Sequence, residues 1–267
     1  MQNKKISADK DFNIGYVAER DFICQNMNFA ASEAYKVLRT NISFSLSSVK
    51  GCKVIGVTSS NNTEGKSLVS INLSYTLALQ GSKVLLIDSD LRIPTIAKRL
   101  GLSKAPGFSD LLLGNDVDAV NRSDIHENFS VLTSGNRPSN PSELLGSEIA
   151  ANVIAKLSEQ YDYILLDLPP VNEVSDAINV SRYLDGIVFV IKDNVTTKAN
   201  LKKAVSQLEL INAEILGFVL VDSTGGKYGK YGKYGKYGKY GKYGKYGKYG
   251  SQANKYENKY ESESEGK

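Results

Sequence analysis

The stretch that decides the fold is Lys53–Ser67, KVIGVTSSNNTEGKS. It opens with an apolar run, Val54 to Val57, and passes into a short polar loop ending in Gly65-Lys66-Ser67. Leu68 to Gln80 then read as a helix, with apolar positions at Leu68, Ile71, Tyr75 and Leu79. Strand, loop, GKS, helix is the layout of a phosphate-binding loop. Its backbone N–H groups and the helix N-terminus can hold an anion, and the lysine reaches the β- and γ-phosphates. The Ser67 hydroxyl is placed to ligate Mg²⁺. The usual pattern has a glycine five residues before the second glycine, and here that position is Ser60. From the tripeptide alone, an ordinary turn with an exposed lysine would read the same.

Two further apolar runs resolve the choice. Lys83-Val-Leu-Leu-Ile-Asp88-Ser-Asp90 is a strand of the buried, parallel kind that ends in carboxylates. Tyr161-Asp-Tyr-Ile-Leu-Leu-Asp167-Leu-Pro-Pro170 is another, with one carboxylate before a proline turn. Ligands of open α/β sheets bind at that edge of the strands. Of Asp88 and Asp90, one is expected to face the nucleotide and the other to face elsewhere. Asp167 stands where a second phosphate-loop aspartate holds Mg²⁺ through water. Lys66, Ser67, Asp88 or Asp90, and Asp167 together predict an Mg-ATP site. Lys66 would neutralise phosphate charge, Ser67 and Asp167 would hold the metal, and Asp88 or Asp90 would orient or deprotonate the attacking group.

Around these strands the pattern alternates. A helix is expected from about Ala30 to Leu46, with Ala31, Tyr35, Leu38, Ile42 and Leu46 on one face. Glu33, Lys36 and Arg39 line another side, either as a solvated stripe or as a surface that pairs with a second subunit. Short helices are expected over Pro94–Leu100 and Gly107–Leu113, and a strand over 129–133. Ser142 is expected to cap a helix through about Glu159. A helical stretch near Asp176–Arg182, a strand over Asp185–Ile191, a helix over Thr197–Ile211 and a strand over Ile215–Val221 complete the series. Strands alternating with helices imply a doubly wound, mostly parallel α/β sheet. Residues 28–225 would form this domain, residues 1–27 a surface or mobile segment, and residues 226–267 a disordered tail.

Composition separates the tail from the body. The net charge of +4 divides into −3 for residues 1–225 and +7 from Gly226 onward. The 267 residues contain no 18-residue apolar segment, so no membrane span is expected. The polar N-terminus predicts no secretory signal peptide. Cys24 and Cys52 read as reduced cysteines of a cytosolic protein, and the single His126 as a surface residue.

From Lys227 to Gly250 the triplet Lys-Tyr-Gly repeats eight times, and the tail carries 10 of the 16 tyrosines. Glycine at every third position and the lack of aliphatic residues predict disorder. Such an arm supplies many equivalent hydroxyl acceptors. At 42 residues its coil dimension is roughly 35 Å, enough to reach a neighbouring subunit. A tyrosine hydroxyl with pKa about 10 needs a carboxylate to take its proton. With about −1.5 to −2 charges per phosphate, full modification would swing the tail from +7 to about −8 or −13, and repulsion between tails could open an assembly.

From about Ala30 onward the chain resembles the bacterial tyrosine kinases of capsular and exopolysaccharide biosynthesis, in the form found as a separate cytoplasmic chain in Firmicutes. The resemblance rests on SSNNTEGKS, LLIDSDLR, YILLDLPP, SNPSELL and the C-terminal tyrosine cluster. It implies a nucleotide-binding P-loop domain of the MinD/ParA-like class, with ATP and Mg²⁺ as cofactors. Nucleotide contacts fall to Ser60, Asn61, Asn62, Thr63, Glu64, Gly65, Lys66, Ser67 and Leu68. Catalysis falls to Lys66, Asp88 and Asp90, and the metal to Ser67, Asp88 and Asp167. The implied acceptors are Tyr228, Tyr231, Tyr234, Tyr237, Tyr240, Tyr243, Tyr246, Tyr249, Tyr256 and Tyr260, phosphorylated between the subunits of a ring. The implied partners are a transmembrane polysaccharide co-polymerase adaptor that activates the kinase at the inner face of the membrane, and a tyrosine phosphatase that resets it. The resemblance implies no specific nucleic acid.

Three positions depart from the family. Its Glu-x-x-Arg-x-x-Arg interface motif here reads Glu33-x-x-Lys36-x-x-Arg39, and lysine lacks the bidentate fork. Its Pro-Gly before Glu-Gly-Lys is Asn62-Thr63, which leaves the loop less pre-shaped. Its nucleobase-facing asparagine aligns with Val221. Two other readings compete. A MinD/ParA-like regulatory ATPase would carry a second lysine at the position of Asn61. A tail-driven binding module for nucleic acid, lipid or polysaccharide would bind without ATP and weaken steeply with salt.

Overall fold

The computed structural model describes residues 23–221 apart from 116 and 123. The tail with its ten tyrosines, Asp222, and residues 1–22 lie outside the described residues.

The first helix, α1, is Phe29–Ser45, capped by the Asn28 side chain, which accepts the Ala31 N–H at 2.8 Å. Strand β1 (Lys53–Ser59) leads into α2 (Lys66–Ala78), followed by β2 (Val84–Asp88), α3 (Ile96–Leu100) and α4 (Phe108–Leu112). Then come β3 (Val120–Arg122), β4 (Phe129–Leu132), α5 (Pro141–Leu145), α6 (Glu148–Ser158) and β5 (Tyr163–Asp167). The series closes with α7 (Asp176–Val180), β6 (Gly186–Lys192), α8 (Lys198–Leu210) and β7 (Ile215–Val221).

The seven strands form one sheet in the order β3-β4-β2-β5-β1-β6-β7. Every pairing is parallel except β3 with β4. The fold is therefore the doubly wound P-loop type that the sequence predicts. From β1 the chain moves outward to β2 and β4, returns to fill the gap with β5, and then extends the other side with β6 and β7. The loops after β1, β2 and β5 thus leave the same edge of three adjacent strands, at the switch in strand order.

Alternation along the strands builds two cores. Leu85, Ile87, Ile164 and Leu166 face one layer, which contains Phe108 of α4, Ile154 of α6 and Leu208 of α8. Val84, Leu86, Tyr163, Leu165, Ile55 and Val57 face the other, against Val69, Ile71 and Leu73 of α2 and Ile42 of α1. Each fully buried aliphatic side chain contributes about 1.5–3 kcal/mol. Because α2 lies between the sheet and α1, it is buried at every position from Val69 to Ala78. The expected single apolar stripe is therefore too narrow a description, and Leu79, just past the helix end, is exposed.

Two other expectations are corrected. Ser142 does not cap a helix running to Glu159. Ser147 takes a non-helical backbone and accepts the Ala150 N–H at 3.2 Å, which starts a separate helix, α6. Strand β3 was not expected; three residues at a sheet edge carry too little pattern to show. At the other end, Ile23 and Cys24 are buried and the Cys24 N–H donates to Asn72 Oδ1 at 2.8 Å, so the described end of the N-terminal segment is fixed to α2. Cys24 and Cys52 are both free thiols.

Candidate active site

Asp88 and Asp167 close β2 and β5 and are register partners. Neighbouring side chains in parallel register project to the same face. Their parity with Leu86 and Leu165 makes that face the one covered by α2. The first turn of α2 meets them there. Ser70 Oγ donates to Asp167 Oδ1 at 2.9 Å, and the Ser67 hydroxyl also hydrogen-bonds Asp167. Lys66, 7% exposed, favours the ionised Asp167 through its positive charge. Thr95 Oγ1 donates to Ser67 Oγ at 2.8 Å.

The expectation that Asp88 and Asp90 face opposite ways is corrected, since residues two apart on a strand share a face. The strand stops at Asp88, and the negative charge of Asp90 acts on both Asp88 and Asp167. Its Oδ1 accepts the Ile93 N–H at 2.9 Å, a local turn of the Asx kind. The three carboxylates therefore share one site.

That site is short of positive charge. Burial pushes the Asp167 carboxyl up to about 6, against the opposing pull of Ser67, Lys66 and Ser70. Asp88 is pushed well above the usual carboxylate range, first by burial and then by repulsion from Asp167. Its Oδ2 accepts the Ile96 N–H at 3.1 Å, while among the described residues Oδ1 meets no donor. A buried, unpaired carboxylate oxygen beside a second carboxylate and a serine hydroxyl fits a hard cation. No group of three His, Cys, Asp or Glu among the described residues could hold a metal alone. Mg²⁺ typically takes one or two carboxylates and completes its shell with phosphate oxygens and water.

The loop over this site is held from behind. Gly65 has φ +100°, so this turn favours glycine, and a Cβ there would meet Val221 Cγ2 only at an ordinary contact distance of 3.4 Å. Glu64, among the expected nucleotide contacts, points inward and is fully buried. Its carboxylate accepts the Asn61 N–H at 3.0 Å, Asn61 Nδ2 at 3.3 Å and Thr196 Oγ1 at 2.7 Å. Its side chain braces the loop. Ser60 is buried with its Oγ unpartnered among the described residues. Ser59 Oγ donates to the Asn61 carbonyl at 2.7 Å. Leu68 packs against the core beneath α2.

Beyond the expected residues, Arg92 forks onto buried Asp176 with Nε–Oδ2 at 2.8 Å and Nη2–Oδ1 at 3.1 Å. Ser142 bonds both partners. This ties the segment after Asp90 to α5 and α7. Ser70, one turn beyond Lys66, is the missed residue with a signal in the sequence; Thr95, Arg92–Asp176 and Thr196 depend on long-range packing. On α1, Glu33 and Lys36 form an exposed pair at 2.7 Å. Arg39 instead donates to the Thr76 carbonyl of α2 at 2.8 Å, so the three expected interface residues do not act alike.

Known proteins resemble this chain in sequence and in fold. Residues 52–216 match the family described as AAA domain. The putative tyrosine-protein kinase CapB of Staphylococcus aureus is 36% identical over 191 residues, covering 71% of this chain and 83% of CapB. The chain belongs to the bacterial tyrosine-kinase family. A second member, tyrosine-protein kinase CpsD of Streptococcus pneumoniae serotype 4, is 37% identical over 205 residues, 74% of this chain and 88% of CpsD. The crystal structure of the chimerical protein CapA2B2 superimposes with TM-score 0.70 at 32% identity, covering 77% of this chain and 89% of that one. The septum site-determining protein MinD of Pyrococcus horikoshii, complexed with Mg-ADP, has TM-score 0.54 at 26% identity, with 63% of this chain and 70% of MinD covered. The kinase family and the MinD proteins thus share the P-loop fold. No described helix is long and apolar enough to cross a membrane.

Proposed function

We propose that the chain transfers the γ-phosphoryl group of Mg-ATP to tyrosines in the C-terminal tail of a second copy. The observation that carries this reading is the Asp88–Asp167 pair, buried under the first turn of the phosphate-loop helix with one carboxylate oxygen unsatisfied. Lys66 and the loop residues Ser60–Leu68 bind the phosphates, with Glu64 acting from behind the loop. Ser67, Asp88 and Asp167 hold Mg²⁺, which neutralises charge on the phosphates when bound. Asp90, which shares the site with Asp88 and Asp167, accepts the proton of the tyrosine hydroxyl. That oxygen bonds to the γ-phosphorus as the bond to the β-bridging oxygen breaks, and ADP leaves.

Four tyrosines of the domain are poorly placed as acceptors. Tyr75 and Tyr163 are buried, and the Tyr183 hydroxyl donates to the Ser147 carbonyl at 2.7 Å. Burial pushes the Tyr35 hydroxyl up to about 12. The proposed acceptors are Tyr228, Tyr231, Tyr234, Tyr237, Tyr240, Tyr243, Tyr246, Tyr249, Tyr256 and Tyr260. In this reading residues 28–225 form the kinase domain, and Glu33, Lys36 and Arg39 mark the face of α1 toward the next subunit of a ring. A membrane adaptor recruits and activates the ring at the inner face of the membrane, a phosphatase resets it, and the cycle regulates capsular or exopolysaccharide polymerisation and export.

Mass spectrometry of the full chain after incubation with Mg-ATP, with and without the adaptor's cytosolic peptide, tests this. Phosphate on Tyr228–Tyr260 that disappears in Lys66→Met supports the kinase. ATP hydrolysis with no tail phosphate under either condition would overturn it in favour of a regulatory ATPase.

A further inference from the structure

The apex of the phosphate loop is held in an unfavourable backbone. Thr63 has φ +62°, in the left-handed region that β-branched residues rarely adopt. The peptide groups on either side of Asn62-Thr63 are gripped from outside the loop. Glu173 accepts the Asn62 N–H at 2.8 Å with one carboxylate oxygen and Asn62 Nδ2 with the other. Lys192 Nζ donates to the Thr63 carbonyl at 3.1 Å. Within the loop, Thr63 Oγ1 donates to the Asn62 carbonyl at 2.7 Å.

We propose that Glu173 is a positioning residue for nucleotide binding: it fixes the loop apex in the conformation that Thr63 does not adopt on its own. The covalent chemistry of the loop explains why a carboxylate is needed at this point. A Pro-Gly pair at positions 62 and 63 would shape the apex by itself, since glycine enters the left-handed region freely and proline fixes φ. Proline at 62 would also lack the N–H that Glu173 takes. Asn62, with a backbone and a side-chain donor aimed at one carboxylate, and Glu173 therefore work as a pair. Together they replace conformational restriction with charge-assisted hydrogen bonds. Glu173 itself is exposed, whereas Glu64, which holds the preceding residue Asn61, is buried, so successive residues of the loop are each held by a carboxylate.

This inference rests on reading the loop as the nucleotide site, and its test is a binding measurement that does not depend on which acceptor is phosphorylated. The full chain is titrated with a fluorescent ATP analogue and Mg²⁺. Glu173→Ala is expected to weaken binding about tenfold, with Glu173→Gln intermediate because it keeps one acceptor oxygen. The thermal midpoint should stay near that of the parent, since the side chain is exposed. In a Thr63→Gly background the same Glu173→Ala change should cost less than about twofold relative to Thr63→Gly alone, because glycine no longer needs the brace. Unchanged affinity in Glu173→Ala would overturn the proposal. So would tighter binding in Glu173→Gln, which would mark Glu173 as an anionic plug competing with phosphate. An equal tenfold loss in both backgrounds would place Glu173 on the nucleotide itself and overturn the positioning role. A parent chain that fails to bind the analogue would remove the nucleotide reading and this inference with it.

Discussion

Two buried acidic regions adjoin the phosphate loop, and they are finished differently. Behind the loop, Glu64 is surrounded by donors: the Asn61 N–H, the Asn61 side-chain amide and the Thr196 hydroxyl. In front of it, at the ends of β2 and β5, Asp88 and Asp167 sit side by side, and Asp88 Oδ1 has no donor among the described residues. A buried carboxylate that the protein satisfies by itself is part of the scaffold. One that is left short of hydrogen bonds, next to a second carboxylate, costs stability until a cation arrives. The contrast separates Glu64 from the aspartates, although all of them stand within or beside the three motifs that the sequence marks out.

The largest effect expected on this contrast is at the lysine between the two regions. Lys66→Met should lower tail phosphorylation by about 100-fold or more, read as phosphotyrosine formed per minute at saturating Mg-ATP. A loss of less than about threefold would mean that Lys66 does not act on the transferred phosphate.

The pH dependence of stability comes next. The folded chain holds a proton on Asp167 up to about pH 6, whereas an unfolded chain releases it near pH 3.9. The folded state binds more protons across that window, so stability without ligand should fall as pH rises from about 4 to about 6. The slope should total up to about 3 kcal/mol and be smaller in Asp167→Asn, as measured by denaturant unfolding at stepped pH. Stability rising through the same window, with no change in that variant, would place the pair among ordinary satisfied carboxylates.

The scaffold side should respond in the opposite sense. Glu64→Ala leaves the Asn61 amides and the Thr196 hydroxyl without their acceptor and should cost about 1–3 kcal/mol at neutral pH. That corresponds to a drop of about 2–4 °C in thermal midpoint per kcal/mol. A higher midpoint would contradict the brace. The smallest effect belongs to the exposed Glu33–Lys36 pair on α1. Lys36→Ala should change monomer stability by no more than about 0.5 kcal/mol. If the ring reading holds, it should instead shift the sedimentation profile toward monomer.

Much of this was legible in the sequence. The apolar runs of β1, β2 and β5, each ending at a polar loop or an aspartate, carry the sheet, its parallel direction and the shared edge. Their residues are buried on both faces, so composition alone reveals them. The finer roles of the site residues depend on pairings that no local pattern holds. Glu64 lies within the motif but meets Thr196, 132 residues away. Alternation could not tell Asp88 from Asp90, because residues two apart on a strand share a face, and β2 ends at Asp88. Ser142 looked like a helix cap by its composition and its neighbours, yet it serves the Arg92–Asp176 fork. Strand β3 exists because β4 offers it an edge, and its own three residues give no sign of it.

The most direct test of the contrast is a pair of thermal melts at pH 7.5, for the parent chain and Asp167→Asn, each with and without Mg-ATP. The account predicts that Asp167→Asn melts at or above the parent without ligand, since it removes a buried charge. It also predicts that the rise Mg-ATP gives the parent is lost in the variant. A variant that melts several degrees lower without ligand, and still rises with Mg-ATP as much as the parent does, would show that Asp167 is scaffold like Glu64 and contradict the account.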